Sequence, residues 1–426
     1  MTDPPNAPAA SAAAAPTIHA NPEARSWRTE HAPEVIDFHR SIPGYAPTRL
    51  IEVPALATEL GIARVLVKEE SARFGLPAFK ILGASYAACR ALSAHLGSPE
   101  AALPMDELRT RLAERAPIEL VAATDGNHGR AVAHTARLLG LPAHIFLPAD
   151  ITAEAKAGIR EEGADVDELS APYDAIVAAA AEYTDAGEAA GEERLLIQDT
   201  SWEGYEEIPQ WIVDGYSTLL VEAEQQLAEQ GIERVDLVAM PVGVGSFAEA
   251  VVRRCRTADG GLLSGGTAAD TRREVSSLRN PAENRSEVTT RAEEAPVPSV
   301  LSVEPTAAPG LIASLAAGEL TAVPTGATIM AGLNCGTPSA AAWPVLRAGV
   351  DAAVTVDDAQ AAQAVRDLEA HGVDSGPCGA STLAGVRAWA AEHPLPADAT
   401  VLLLSTESRR ANPLPAGMGG AVPCRH

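Results

Sequence analysis

An amine that is to form an imine must be able to lose its proton, and this chain offers only three lysines for that chemistry, Lys68, Lys80 and Lys156. Lys68 ends an apolar run beside Glu69 and Glu70, and Lys156 sits in a charged helical stretch with Glu154. Lys80 differs. It lies in GLPAFKILGAS between Phe79 and Ile81, just before a helix start. Apolar surroundings penalise the ammonium form and so favour the free amine that imine chemistry requires. The same residues also describe a lysine whose stem packs on apolar neighbours while its head reaches water, and Lys80 alone does not decide between the two.

Two further segments carry polar groups on turns that lead into helices. In AATDGNHGRAV an apolar strand ends in a turn flanked by Gly126 and Gly129, where backbone can approach a ligand closely and the helix start offers N–H groups to an anion such as a carboxylate. Asn127 offers an amide that could contact a ring oxygen. Asp125 is either an acid–base group or a simple turn residue, and His128 reads more naturally as structural. In PVGVGSFAEAV a strand runs through Gly243, Val244, Gly245 and Ser246 into a helix, the arrangement that cradles a phosphate on backbone amides. The same stretch fits G-x-G-x-x-A, which leaves a dinucleotide open. The acidic ribose-binding residue expected about twenty positions later would fall in a polar insertion.

These turns must be held by a scaffold, and the pattern around them is an alternation of short β-rich and helical runs. It begins at Ile51 and proceeds through ARVLVKE, SYAACRALSAHL, IELVAAT, GRAVAHTARLLG and PAHIFLP. Such alternation predicts parallel strands joined by crossover helices. LLIQD, a long helical stretch near residues 213–230, VDLVAMPV, VLSVEP and TVLLLS continue it. Residues 1 to about 20 are rich in Ala and Pro and predict a disordered tail. Residues 256–299 are polar, without sustained periodicity, and predict a disordered surface insertion, which costs little more in closure entropy than a short loop.

Composition narrows the classes. With 426 residues, 46% of them hydrophobic, the chain can bury more than one core. A formal net charge of -25 leaves no broad basic face, which argues against nucleic-acid binding. The five cysteines are scattered, odd in number and without a close pair at metal-ligand spacing, so neither a metal site nor a disulfide framework is expected and a reducing cytoplasm suits them. No uncharged stretch approaches a membrane-spanning length.

Taken in order, VKEESARFGLPAFKILGASYA, TDGNHGRAVAHTA, QDTSWEGYEEIPQWIVDGYSTL, GVGSF, TIMAGLNCGTPS and LLLSTE resemble the diaminopropionate ammonia-lyase family of fold type II pyridoxal-phosphate (PLP) enzymes, over most of residues 40–410. The resemblance implies an α/β fold of two open αβα lobes with mostly parallel sheets and PLP in the cleft between them. The larger lobe would comprise residues 21–90 and 206–426, and the smaller one residues 91–205. It implies that Lys80 carries the cofactor, that the loop 243–246 (Gly243, Val244, Gly245, Ser246) holds its phosphate, that Asn127 contacts the ring, and that Ser405 or Thr406 bonds the pyridine nitrogen. It further implies that Asp125 and Asp199 approach the substrate α-carbon from different sides, and that the molecule, which composition places in the cytoplasm, is a homodimer acting on a small amino acid. Asp125 is the narrowing mark, since related serine and threonine dehydratases have a small residue there.

Other matches are supportive. Cys335 in MAGLNCG reads best as a buried small hydrophobe, and Trp202, Tyr205 and Trp211 as packing around Asp199. The run from Ser408 to Asn412, the loop from Asp374 to Cys378, and the insertion depart from the family pattern. Two alternatives therefore accompany the expected elimination of ammonia from 2,3-diaminopropionate: a serine/threonine dehydratase-like PLP lyase, and a PLP-binding homologue without turnover.

Overall fold

The computed structural model describes residues 18–29, 33–124, 126–258, 261–263 and 297–418. Among the described residues the strands are β1 (Ile18–Ala20), β2 (Arg49–Glu52), β3 (Arg64–Glu69), β4 (Ile118–Ala123), β5 (Ala143–Pro148), β6 (Asp165–Leu169), β7 (Glu193–Leu196), β8 (Leu237–Pro241), β9 (Ser299–Pro305), β10 (Ala352–Val356) and β11 (Thr400–Ser405). They form a seven-stranded sheet in the order β1-β10-β9-β8-β11-β3-β2 and a four-stranded sheet in the order β6-β5-β4-β7. The small sheet is parallel throughout. The large one is parallel except for its two edges, β1 against β10 and β2 against β3.

This topology follows from the strand sequences. LVAMP and TVLLLS are buried at every position, as befits parallel strands covered by helices on both faces. Three of the residues placed in the disordered tail, Ile18 to Ala20, instead form the edge strand β1. Their backbone completes the ladder on β10, which composition could not reveal. The remainder of that tail, residues 1–17, lies outside the described residues, as do 259–260 and 264–296 of the insertion. The two ends of the insertion are built into the fold: Thr257 bridges Thr29, and Ser299 opens β9.

Helix Ile81–His95 connects the two sheets. It packs on helix Glu207–Glu229 on one side and on helix Asn127–Leu139 on the other. A single apolar cluster accordingly runs from Leu66 and Val238 of the large sheet through Leu82 and Leu92 to Ile118 and Ile145 of the small one. The first contact is unusually close. A Cβ at Gly215 would stand 2.5 Å from the Leu82 carbonyl oxygen, and one at Gly83 2.7 Å from Ile212 Cγ2. Bare glycine faces let the two helices meet backbone to backbone, and their contact holds the N-terminal end of helix Ile81–His95 in place. Among the described residues no helix is long and apolar enough to cross a membrane.

Candidate active site at the strand carboxyl ends

In open parallel sheets ligands collect beyond the carboxyl ends of the strands, where loops from several strands converge. The polar groups singled out in the sequence sit there. Lys80 caps helix Ile81–His95 at the end of the loop after β3. Asn127 opens the helix after β4, and Asp199 follows β7 by three residues. Loop 243–246 joins β8 to helix Ser246–Cys255, and Ser405 ends β11 with Thr406 immediately after. Asp125 lies outside the described residues.

At the centre, Lys80 Nζ donates to Asp199 Oδ2 at 2.9 Å, although 119 residues separate them. The Lys80 side chain keeps 25% of its surface accessible and Asp199 only 9%. The ammonium faces aromatic walls, 5.6 Å from the centre of the Phe79 ring and 6.0 Å from that of Tyr216. Burial alone would push the Asp199 carboxyl up. The His128 ring and the Lys80 ammonium, with the Lys80 hydrogen bond, outweigh it and hold the group down at about 2. His128 has the structural anchor expected of it, Nε2 to the Ile197 carbonyl at 2.7 Å, but its Nδ1 also lies 3.8 Å from Asp199 Oδ2. The other two lysines are committed elsewhere: Lys68 to Glu222 in the interior and Lys156 to Glu168 and the Ala149 carbonyl.

Loop 243–246 has the form of an anion cradle. Gly245 has φ +104°, a conformation L side chains rarely adopt, and a Cβ at Gly243 would stand 2.7 Å from the Gly332 carbonyl oxygen. Two contacts fix the loop: the Val244 carbonyl accepts from Ser339 N at 2.7 Å, and Ser246 Oγ donates to the Asp199 carbonyl at 3.1 Å. The latter joins the cradle to the residue facing Lys80. On the far side Ser405 Oγ pairs with Ser375 Oγ at 2.7 Å, and the Thr406 carbonyl accepts from Phe79 N, one residue before Lys80. A glycine-lined helix start that can take a phosphate, an amine, a carboxamide and a neutral hydroxyl gathered at the strand carboxyl ends are the set that PLP needs, so the residues present fit that group.

Several details were not foreseen. Thr124 Oγ1 accepts from the N–H groups of both Gly126 and Gly129, so two donors of that helix start are taken up by the protein. Trp202 is 37% exposed, stacked on Tyr205 with ring centres 4.3 Å apart, and is not the buried packing residue expected. Cys335 is half-buried rather than buried. Two of the departures from the family pattern prove to be one feature, because Arg409 donates to Asp374 through both its backbone N and Nε, each at 3.1 Å. Ser375 and Glu407, both buried, were not singled out as site residues in the sequence; Ser375 stands just before helix Pro377–Glu392 and Glu407 just beyond β11.

Residues 42–407 match the family model described as pyridoxal-phosphate dependent enzyme. The diaminopropionate ammonia-lyase of Escherichia coli (strain K12) is 35% identical over 386 residues, covering 87% of this chain and 86% of the relative. This chain is a diaminopropionate ammonia-lyase family member. The enzyme of Salmonella typhimurium (strain LT2) is 36% identical over 78% of this chain and 74% of its own. Among solved structures, Escherichia coli diaminopropionate ammonia-lyase in complex with an aminoacrylate–PLP azomethine reaction intermediate superposes with a TM-score of 0.73 at 28% identity, covering 93% of this chain and 94% of that one. Family membership makes PLP the cofactor and displaces the dinucleotide alternative for the loop 243–245.

Proposed function

We propose that the chain converts 2,3-diaminopropionate and water into pyruvate and two molecules of ammonia, with PLP held on Lys80. The observation that carries the reading is the contact of Lys80 with Asp199 beside the glycine cradle, in a chain of this family. Lys80, Asp199 and Asp125 are the groups that move protons, and Asn127, the loop 243–246 and the hydroxyls of Ser405 or Thr406 are those that hold the cofactor. When bound, PLP supplies an electron-withdrawing ring that accepts the charge left on the α-carbon as its proton departs.

The behaviour of Asp199 fits a proton acceptor that is switched on by loading. While Lys80 is an ammonium, its charge and hydrogen bond hold Asp199 down and make it a feeble base. Once the Lys80 nitrogen is no longer cationic, two of the lowering influences vanish and burial, which pushes the carboxyl up, gains weight. The departing β-amine leaves only when protonated, and Lys80, a neutral amine once released and 2.9 Å from Asp199, is placed to relay to it the proton that Asp199 has taken. Asp125 would serve the substrate of opposite hand. A homodimer in the cytoplasm completes the reading, and sedimentation of the purified protein tests the first part.

The test is to load the purified protein with PLP, record its absorption, and assay pyruvate from D- and L-diaminopropionate and D- and L-serine separately. Pyruvate formed fastest from diaminopropionate, with the bound-cofactor band lost in Lys80→Ala, is the expected result. Faster release from serine would favour a dehydratase-like lyase. A cofactor band without pyruvate from any of the four would leave a binding protein, and no band would refute the reading outright.

A further inference from the structure

Glu407 stands just beyond the end of β11, is 4% exposed, and receives donors from three different parts of the chain. Its Oε2 accepts from Asn127 Nδ2 at 3.2 Å, across 280 residues. Its Oε1 accepts from the backbone N of Cys378 and from Asn412 Nδ2, each at 3.2 Å. The main chain at this point is equally committed. Its carbonyl accepts from Gly376 N at 2.9 Å, Ala78 forms a bridge with it, and Ser408 N donates to the Pro77 carbonyl. The carboxylate has little room to move, since a Cβ at Gly376 would stand 2.9 Å from Oε1.

We infer that Glu407 is a positioning residue that fixes which end of the Asn127 carboxamide faces the cofactor. This rests on the functional reading above, in which Asn127 contacts the ring. An amide can present either its oxygen or its NH2 group in nearly the same place, and the neighbouring groups decide which. A carboxylate that gathers N–H donors is an acceptor, so the atom of Asn127 turned toward it is the nitrogen, and the second N–H of that nitrogen stays available for a ring oxygen. The bond is charge-assisted, which strengthens it and polarises the remaining N–H. The same residue ties down the backbone that leads to Lys80, so the amide and the amine are set from one point. Asn127 rides on the helix that follows a strand of the small sheet and Glu407 follows a strand of the large one, so the contact also registers the two sheets against each other at the cleft.

A glutamine at position 407 can accept at only one end. With its oxygen claimed by Cys378 N and Asn412, it would turn its NH2 group on Asn127 and drive that amide to flip. The experiment titrates apo-protein with PLP for wild type, E407Q, N127A and the double variant, and follows the pH dependence of the bound cofactor's absorption in each. Expected are a roughly tenfold weaker affinity for E407Q, as for loss of one charge-assisted hydrogen bond, a displaced spectral pH transition, and a double variant no weaker than N127A. Losses that multiply in the double variant, or an unmoved transition in E407Q, overturn the inference. E407D, which keeps the charge but withdraws the oxygens, takes the same place in the cycle if E407Q does not fold. Wild-type protein that binds no PLP overturns the functional reading and this inference with it, whereas binding with independent losses overturns this inference alone.

Discussion

Replacing Glu222 by glutamine takes one negative charge out of a cluster that has almost no water to compensate it. Lys68, Arg73 and Glu222 have side chains with no accessible surface, and Glu70 shares it with them. Glu222 receives Lys68 Nζ at 2.8 Å and Arg73 at 2.6 and 2.7 Å, while Arg73 also grips Glu70. Two cations balance two anions. The variant would bury a net positive charge, a change that costs about 3–5 kcal/mol when one partner of a buried pair is removed. The structure also sets a ceiling. Arg73 cannot shed its proton, but Lys68 can, and releasing it at pH 7 from the usual lysine value of 10.5 costs roughly 5 kcal/mol. Burial already lowers the Lys68 pKa, and losing Glu222 removes an influence that raises it. Between a depressed folded pKa and the unfolded 10.5 the unfolded state binds more protons, so stability of the variant climbs with pH. Urea unfolding of wild type and E222Q at pH 7 and pH 9 is the assay. The expected gap is about 3–5 kcal/mol at pH 7, narrowing at pH 9, and Lys68→Met placed on E222Q should recover much of it by removing the surplus charge. A gap under about 1 kcal/mol at pH 7, or one indifferent to pH, would mean that these charges are not held as tightly as the geometry indicates.

Three other substitutions probe the site itself. Gly129→Ala places a Cβ 2.3 Å from Thr124 Cγ2 and 2.8 Å from Ile145 Cγ2, stiff side chains with nowhere to go, so a loss of about 1–3 kcal/mol is expected in thermal unfolding. Gly245→Ala meets an unfavourable φ of +104° and crowds the cradle, and should weaken PLP binding in a titration while Gly140→Ala, at a helix end remote from the cleft, does not. For Asp199→Asn, the stability that wild type draws from its ionised carboxylate is present above the unfolded value of 3.8 and lost as pH falls through about 2. The difference between wild type and variant in urea midpoint should therefore be flat from pH 7 to about 5 and shrink only below about 4.

What the sequence revealed of this site follows from how far apart its parts lie along the chain. The loop 243–246 and Ser405 stand where an apolar strand gives way to a turn, and Lys80 where an apolar segment opens a helix, local patterns that can be read from a dozen residues. The contacts among them cannot. Lys80 and Asp199 are 119 residues apart and Asn127 and Glu407 are 280 apart, and neither Glu407 nor Ser375 carries any local sign of its partner. Lys68 shows the same limit from the other side. In sequence it is a strand-end lysine beside two acidic residues, yet the ion pair that commits it comes from Glu222 on helix Glu207–Glu229. The β1 strand was hidden because only pairing with β10 distinguishes three residues of ladder from an Ala/Pro-rich tail.

The way these long-range links are distributed bears on how the site stays assembled. The apolar cluster running through helix Ile81–His95 joins the two sheets behind the cleft, where close packing tolerates little relative motion. In front, the sheets meet through polar contacts: Lys80 with Asp199, Ser246 with the Asp199 carbonyl, Ser201 Oγ with Ser339 Oγ at 2.6 Å, and Asn127 with Glu407. Hydrogen bonds at a cleft can be exchanged for bonds to water or to a ligand at small net cost, whereas apolar packing cannot. A rigid rear and an exchangeable front suit a cleft in which a cofactor and a charged substrate take over bonds the protein makes to itself. Under the function proposed above, the first bond to be exchanged is the one between Lys80 and Asp199, whose loss also raises the basicity of the carboxylate left behind.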